Sequence, residues 1–136
     1  MSTTIRPQVS KKKDYYISKH RYYELKHFCL QYPEWRTEYN QLYFEPRGIL
    51  VKDRVQEDKD DITATIAIRR RDLFNKMEMV EQAAIEADPD LKDYILLAVT
   101  DGYTYEYLKL KKNIPCGRDT FYNRYRRFFW VLSKVR

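Results

Sequence analysis

Apolar residues recur every three or four positions through most of this chain, and few residues interrupt the pattern. Only three glycines occur among the 136 residues, and dipeptides typical of tight turns are scarce. A sheet of hairpins needs many such turns, whereas a spacing of three and four residues places side chains along one face of a helix. The sequence therefore predicts an all-α fold.

Cysteines and apolar segments limit the classes of protein that fit. Cys29 and Cys116 form no CxxC motif, and their spacing to the two histidines matches no usual zinc site. We therefore predict free thiols, and neither a metal nor a cofactor. No signal peptide and no apolar run long enough to span a membrane is found, which predicts a cytoplasmic protein with no membrane partner.

The N-terminal part predicts a helical hairpin. Residues 1–10 are polar and aperiodic, which predicts a disordered tail, and the hairpin is predicted over 11–43. Pro33 separates the two helices, since proline suits the first position of a helix. The predicted apolar faces are Tyr22, Leu25, Cys29 and Tyr32 in the first helix, and Trp35, Tyr39 and Leu42 in the second. Residues 44–61 lack a period and contain an acidic cluster, which predicts a linker.

A long helix is predicted from residue 62, with Asp61 or Thr63 as its cap and Asp88-Pro89 as its end. Its first residues, ITATIAI, alternate and would also fit a strand, but the length of the downstream pattern favours a helix. Apolar residues follow a three-four spacing along it: Ile66, Leu73, Met77, Val80 and Ala84. This stripe predicts a homodimer or small homo-oligomer, with an intramolecular core as the alternative. A further helix ends at Asp101-Gly102, where glycine suits the left-handed cap.

The last third predicts a helix-turn-helix over 103–135 within a helical domain at 62–136. A short helix, Tyr103–Lys112, is followed by the turn NIPCG and a final helix that starts at Arg118 or Asp119. On a helical wheel the apolar residues of the final helix fall within roughly 80°: Phe121, Tyr125, Phe128, Leu132 and Val135. The opposite side collects Thr120, Asn123, Arg126, Arg127, Trp130 and Lys134.

Basic charge is concentrated in the same region. Residues 93–136 contain nine Lys and Arg against four Asp and Glu, a net charge of +5 out of +6 for the whole chain. Arginine pairs with guanine and asparagine with adenine, so the polar side of the final helix fits DNA. A solvated basic helix is the alternative. An exposed tryptophan is unusual, so Trp130 is predicted to dock against the N-terminal helices or a second subunit.

Residues 62–136 resemble the C-terminal part of phage regulators of the ArpU/RinA type. The shared outline is a long helix, then DYILLAVTDGYTYEYL, then a helix-turn-helix that ends in FYNRYRRFFWVLSKVR. The resemblance implies an activator of late phage transcription in the cytoplasm of a bacterial host. Its implied partners are double-stranded DNA, bound as sigma factors bind promoters, and the host RNA polymerase.

Both helices of the motif supply predicted DNA contacts. By position, the resemblance implies contacts from Thr120, Asn123, Arg124, Arg126 and Arg127, with Lys111 and Lys112 near the backbone. Arg118, at the start of the last helix, completes the predicted set. The segment from Ile114 to Phe121 is about two residues longer than the usual turn, a departure that affects the docking angle of the last helix.

Other classes of function remain open at this point. An enzyme is not predicted, because the chain has no glycine-rich phosphate loop, no nucleophile elbow and no metal motif. His20 and His27 lie on a tyrosine-rich helix, where surface or seam roles are expected. A phage small terminase subunit would also combine a helix-turn-helix with assembly helices, and would form a larger ring. A protein–protein interaction module would use Trp130 and Arg126 in a protein interface.

Overall fold

A computed structural model of the chain describes residues 14–44 and 59–136. Six helices and no strand occur in these ranges, which confirms the predicted all-α fold. The helices are α1 (Lys19–Leu30), α2 (Tyr32–Phe44), α3 (Lys59–Ala87), α4 (Lys92–Asp101), α5 (Tyr105–Lys112) and α6 (Arg118–Val135). The predicted tail at 1–10, and residues 45–58 of the predicted linker, lie outside the described residues.

The starts of several helices differ from the prediction. Helix α5 begins at Tyr105, directly after its cap Thr104, and not at Tyr103. Helix α2 begins at Tyr32 and not at Pro33, because the first four amides of a helix need no acceptor within it and proline is tolerated there. Helix α3 begins at Lys59, ahead of the predicted caps Asp61 and Thr63. No proline or glycine lies between 59 and 63, and acidic residues favour a helix N-terminus, so the helix extends over part of the predicted linker.

Local capping chemistry fixes the other helix ends. The Ser18 hydroxyl accepts a hydrogen bond from the Arg21 amide at the start of α1. Gly102 ends α4 with a φ of 77°, a left-handed conformation that glycine adopts without steric cost. The predicted cap of α5 is also confirmed, since the Thr104 side chain accepts a hydrogen bond from the Tyr107 amide at 3.2 Å.

The chain divides into two compact units. One unit consists of residues 32–78, and its helices α2 and the first part of α3 are joined by Arg69, whose guanidinium donates two hydrogen bonds to Glu38 at 2.6 and 2.8 Å. This bonding lowers the pKa of Glu38. Both side chains are about two-fifths exposed, so the pair contributes at most about 1 kcal/mol to stability. Arg70 lies 4.3 Å from the centre of the Tyr39 ring in the same unit.

The other unit combines residues 14–31 with 79–136 and holds α6 at its centre. Helix α6 packs against α1, α4 and α5. The largest side chains of this unit with almost no exposed surface are Tyr22, Leu25, Cys29, Val80, Ile95, Leu108, Ile114, Phe121, Phe128, Phe129 and Leu132. Four of these side chains are aromatic, in agreement with the tyrosine- and phenylalanine-rich composition, and three of the four belong to α6 itself.

A buried pair of tyrosine hydroxyls joins α1 to α6. The hydroxyl oxygens of Tyr22 and Tyr125 lie 3.3 Å apart, and either hydroxyl can donate. Burial raises the pKa of Tyr125 well above its ordinary value, so the pair stays neutral over the physiological range. Each hydroxyl therefore depends on the other as its partner among the described residues.

We expect Tyr22→Phe and Tyr125→Phe each to lower the free energy of unfolding by about 1–3 kcal/mol, because each leaves one buried hydroxyl without its partner. The double variant removes both hydroxyls, so its cost should be well below the sum of the two. Urea denaturation of the parent and the three variants measures this coupling. Additive effects would show that the two hydroxyls do not interact.

Candidate nucleic-acid interface

The connection between α5 and α6 is held in one conformation by backbone and side-chain bonds. Asn113 ends α5 in the left-handed region with a φ of 54°, and the buried Ile114 donates its amide to the Leu108 carbonyl at 3.3 Å. The hydroxyl of Tyr105 donates to the Cys116 carbonyl at 2.7 Å. Gly117 then caps α6. Residues 113–117 therefore form an ordered turn between the two helices.

Helix α6 buries a wider arc than the sequence predicts. Phe121, Tyr125, Phe128 and Leu132 are buried as predicted. Val135 is 59% exposed, so its prediction as a core residue is wrong, because it is the last residue of the helix. Three further side chains are buried, namely Tyr122, Phe129 and Val131. Together the buried residues cover about half of the helix circumference, which leaves the other half for polar side chains.

The polar face of α6 consists of Thr120, Asn123, Arg126, Arg127, Trp130 and Lys134. Thr120 and Lys134 are exposed, and the four between them are partly buried. Asp119 is exposed as well and falls among these residues on a helical wheel. A carboxylate there disfavours a phosphate but can accept from the amino group of cytosine. The face is therefore polar and mixed, and not uniformly basic.

Two of the predicted DNA contacts are ion-paired within the protein. Arg118 pairs with Glu106, which links the start of α6 to α5. Arg124 pairs with Asp88 at 3.2 Å and donates to the Asn123 side-chain oxygen at 3.1 Å. On the wheel Arg124 lies within the buried arc, between Val131 and Phe128, and away from the polar face. Both guanidinium groups thus hold α6 against its neighbours.

The N-terminal segment contacts the middle of the polar face. Tyr15 precedes α1, and its ring centre lies 5.4 Å from that of Trp130. The Arg127 guanidinium donates to the Tyr15 hydroxyl at 3.4 Å and lies 5.9 Å from the Tyr15 ring centre. The ammonium of Lys134 is 3.4 Å from the centre of the Trp130 ring. Trp130, predicted to dock on the N-terminal helices or a second subunit, therefore packs on the segment ahead of α1.

The remaining predicted contacts are cations or a hydroxyl without a protein partner. Among the described residues, Lys111, Lys112 and Arg126 form no ion pair, and Thr120 forms no side-chain hydrogen bond. The two lysines are exposed at the last turn of α5, where lysine also complements the helix dipole. These side chains are free to bind an external anion.

Sequence reasoning missed three residues that shape this surface, namely Tyr15, Asp88 and Glu106. Asp88 was assigned only to the end of α3, although a carboxylate beside a helix end is a usual partner for an arginine. Glu106 precedes Arg118 by one short helix and one turn, and that proximity was a usable signal. No sequence pattern points to Tyr15, because its partners lie more than a hundred residues away.

Comparison with models of known protein families, with curated proteins and with solved structures gave no match. Within the described ranges, no group of three or more potential metal-ligating residues is found. None of the helices there combines the length and apolar character needed to cross a bilayer. Both cysteines are free thiols, Cys29 buried and Cys116 partly so. The functional inference therefore depends on the geometry of α5 and α6.

Proposed function

We propose that this protein binds double-stranded DNA through α5 and α6 and acts as a phage-type transcription regulator of the ArpU/RinA kind. The observation that carries the proposal is the arrangement of cations. Arg126, Lys111 and Lys112 have no acidic partner among the described residues, and they lie on two helices joined by an ordered turn. Cations of this kind neutralise phosphates and release counterions, which supplies much of the free energy of DNA binding.

The N-terminal half of the polar face of α6 is the part proposed to enter the major groove. Arg126 can donate two hydrogen bonds to guanine. The Asn123 oxygen accepts from Arg124 but has a second lone pair. Its amino group donates to no other described residue, so adenine can still be bound. Thr120, in the first turn of α6, is suited to a phosphate or a base edge.

The Tyr15 contacts confine this proposal to the first turns of α6. Arg127 and Trp130 already pack against Tyr15, so we assign them to positioning the N-terminal segment and not to DNA. In helix-turn-helix proteins the N-terminal residues of the second helix contact the bases, while the first helix crosses the backbone. Lys111 and Lys112, at the end of the first helix, then lie near phosphates.

The proposal also includes assembly into a homodimer or small homo-oligomer and an interaction with the host RNA polymerase. The apolar stripe predicted for pairing is buried within the chain: Ile66, Leu73, Met77, Val80 and Ala84. The proposed dimer therefore uses apolar side chains that α3 exposes, of which Ile68 and Phe74 have the largest exposed fractions. Analytical ultracentrifugation separates a regulatory dimer from the larger ring expected of a packaging subunit.

Selection of bound duplexes from a pool of random DNA tests the proposed function directly. We expect the retained duplexes to share a short motif, because Arg126 and Asn123 discriminate between bases. Retention without a motif would indicate binding to phosphates alone. If no duplex is retained even at low salt, the proposal is wrong.

Charge reversal of Lys111 and Lys112 together should weaken binding to all duplexes to a similar degree. Each lost phosphate contact reduces the dependence of log Kd on log salt concentration by about 0.9, so the double variant should show a clearly flatter slope. Fluorescence anisotropy across a salt series measures both effects. Lys19→Glu with Lys92→Glu is the matched control, since it changes the charge equally at the first residues of α1 and α4. An equal loss of DNA affinity in that control would show that the effect comes from the net charge of the protein and not from contacts of Lys111 and Lys112.

A further inference from the structure

The contact between Tyr15 and α6 lies directly beside the residues proposed to bind DNA. Arg127 follows Asn123 by four residues, so the two side chains are neighbours on one side of the helix. The Tyr15 hydroxyl accepts from Arg127, and the Tyr15 ring packs on Trp130, about one turn further along α6. Residues 14–16, which we name the strap, therefore contact the polar face next to the proposed DNA contacts.

The strap is held against α6 by weak contacts. The hydrogen bond from Arg127 to the Tyr15 hydroxyl is 3.4 Å long, which is beyond the usual range for such bonds. Tyr15 has a φ of 64°, a left-handed conformation that is uncommon for a bulky side chain. Strain of this kind persists only where surrounding contacts maintain it. The backbone at Tyr15 can therefore relax once the contacts with α6 are broken.

The chain is fixed again just after the strap. Ile17 is buried, and the Ser18 hydroxyl caps α1 by accepting from the Arg21 amide. Neither contact involves Tyr15. Rotations at Tyr15 and Tyr16 can therefore move the strap away from α6 while the start of α1 stays in place.

Arg127 is incompletely satisfied beneath the strap. Its buried Nε has no hydrogen-bond partner, and within the described ranges no carboxylate pairs with its guanidinium. The neutral Tyr15 hydroxyl accepts one bond from it. A phosphate binds a guanidinium more strongly than a hydroxyl does, because the charges attract and two parallel hydrogen bonds can form. A DNA phosphate is therefore the better partner for Arg127.

We propose that the strap is an autoinhibitory element, which keeps Arg127 from DNA in the free protein and is displaced when a phosphate replaces the Tyr15 hydroxyl. This inference rests on the proposed DNA binding by α6 and adds a regulatory step to it. The assignment of Arg127 to the N-terminal segment then holds for the free protein. Release of the strap extends the DNA interface by one guanidinium, and the free energy needed for the release lowers the affinity of the parent.

Tyr15→Ala should bind a duplex with the selected motif about two- to tenfold more tightly than the parent, the range that one hydrogen bond contributes. The dependence of log Kd on log salt concentration should become steeper by about 0.9, because one further phosphate is contacted. Fluorescence anisotropy across a salt series measures both effects. Tyr15→Phe keeps the ring on Trp130 but removes the hydroxyl, so its gain should be smaller. If Tyr15→Ala does not fold, the gain of Tyr15→Phe decides the test.

Two further variants identify the group that is released. Arg127→Gln should remove the gain of Tyr15→Ala, and it should change the affinity of the parent much less. Tyr16→Ala is the matched control, because Tyr16 is also half-buried but forms no ring contact or hydrogen bond with α6 in the described part of the chain. It should bind DNA as the parent does.

The outcomes distinguish this inference from the proposed function. If the parent binds DNA and neither Tyr15 variant binds it more tightly, the contact is only structural and autoinhibition is overturned, while the proposed function stands. An equal gain in Tyr16→Ala would also overturn it. If neither the parent nor Tyr15→Ala binds any duplex at low salt, the proposed function is wrong and the inference fails with it. Binding by Tyr15→Ala alone would support both.

Discussion

Phe121→Ala is expected to lower the free energy of unfolding by about 3–5 kcal/mol. Phe121 has no exposed surface, and its ring contacts those of Tyr105, Tyr122 and Tyr125 at centre distances of 5.8, 5.1 and 6.1 Å. The substitution removes these ring contacts and leaves a cavity between α5 and α6. Since domains of this size are stable by about 5–15 kcal/mol, such a loss is a large fraction of the total.

Urea denaturation followed by circular dichroism measures the effect. Phe128→Ala, at a second fully buried position of α6, should give a loss of similar size. Val135→Ala is the matched control on the same helix, and it should change stability by about 0.5 kcal/mol or less because Val135 is largely exposed. Equal losses at Phe121 and Val135 would contradict the described packing of α6.

Arg126→Ala should weaken binding to the selected DNA motif by about 1–3 kcal/mol and relax the preference at one base pair. No acidic partner holds Arg126 among the described residues, so the fold should be unaffected. Arg126→Lys distinguishes two roles of the side chain. Lysine keeps the charge but loses the planar pair of donors, so a base contact would be weakened nearly as much as by alanine. A phosphate contact would be largely restored.

Arg71→Ala provides the matched control, because Arg71 is an exposed arginine of the other compact unit. It should leave the affinity for the motif close to that of the parent. Asn123→Ala extends the test to the neighbouring turn of α6. If Arg126→Ala and Asn123→Ala both bind DNA as the parent does, the polar face of α6 is not the DNA-binding surface.

Much of the helical fold could be predicted because its determinants are local. Gly102 and Thr104 act through their own conformation or through an amide three residues away, and these effects depend only on nearby sequence. The start of α3 could not be predicted in the same way. A helix without a proline or glycine at its N-terminus extends until the preceding chain turns away, and no single residue marks that point.

The surface of α6 was predictable only in part. A helical wheel gives the direction of each side chain but not the neighbours that it meets, so Tyr122 and Phe129 were not assigned to the core. The ion pairs of the α6 arginines were not predicted at all. Asp88 and Arg124 are 36 residues apart in sequence, and no periodic pattern connects them. The DNA contacts themselves stay a prediction until binding is measured.

The long sequence separation between α1 and its partner α6 has a consequence for biosynthesis. Tyr22 and Tyr125 are 103 residues apart, and Arg21 donates to the carbonyl of Ser133 over 112 residues. An isolated helix of 12 residues is marginal in water, so α1 gains its stability only from its later neighbours. At typical translation rates ~5–20 s pass between the synthesis of α1 and the synthesis of α6. During that interval Tyr22, Leu25 and Cys29 are exposed on the nascent chain, where a chaperone can bind them.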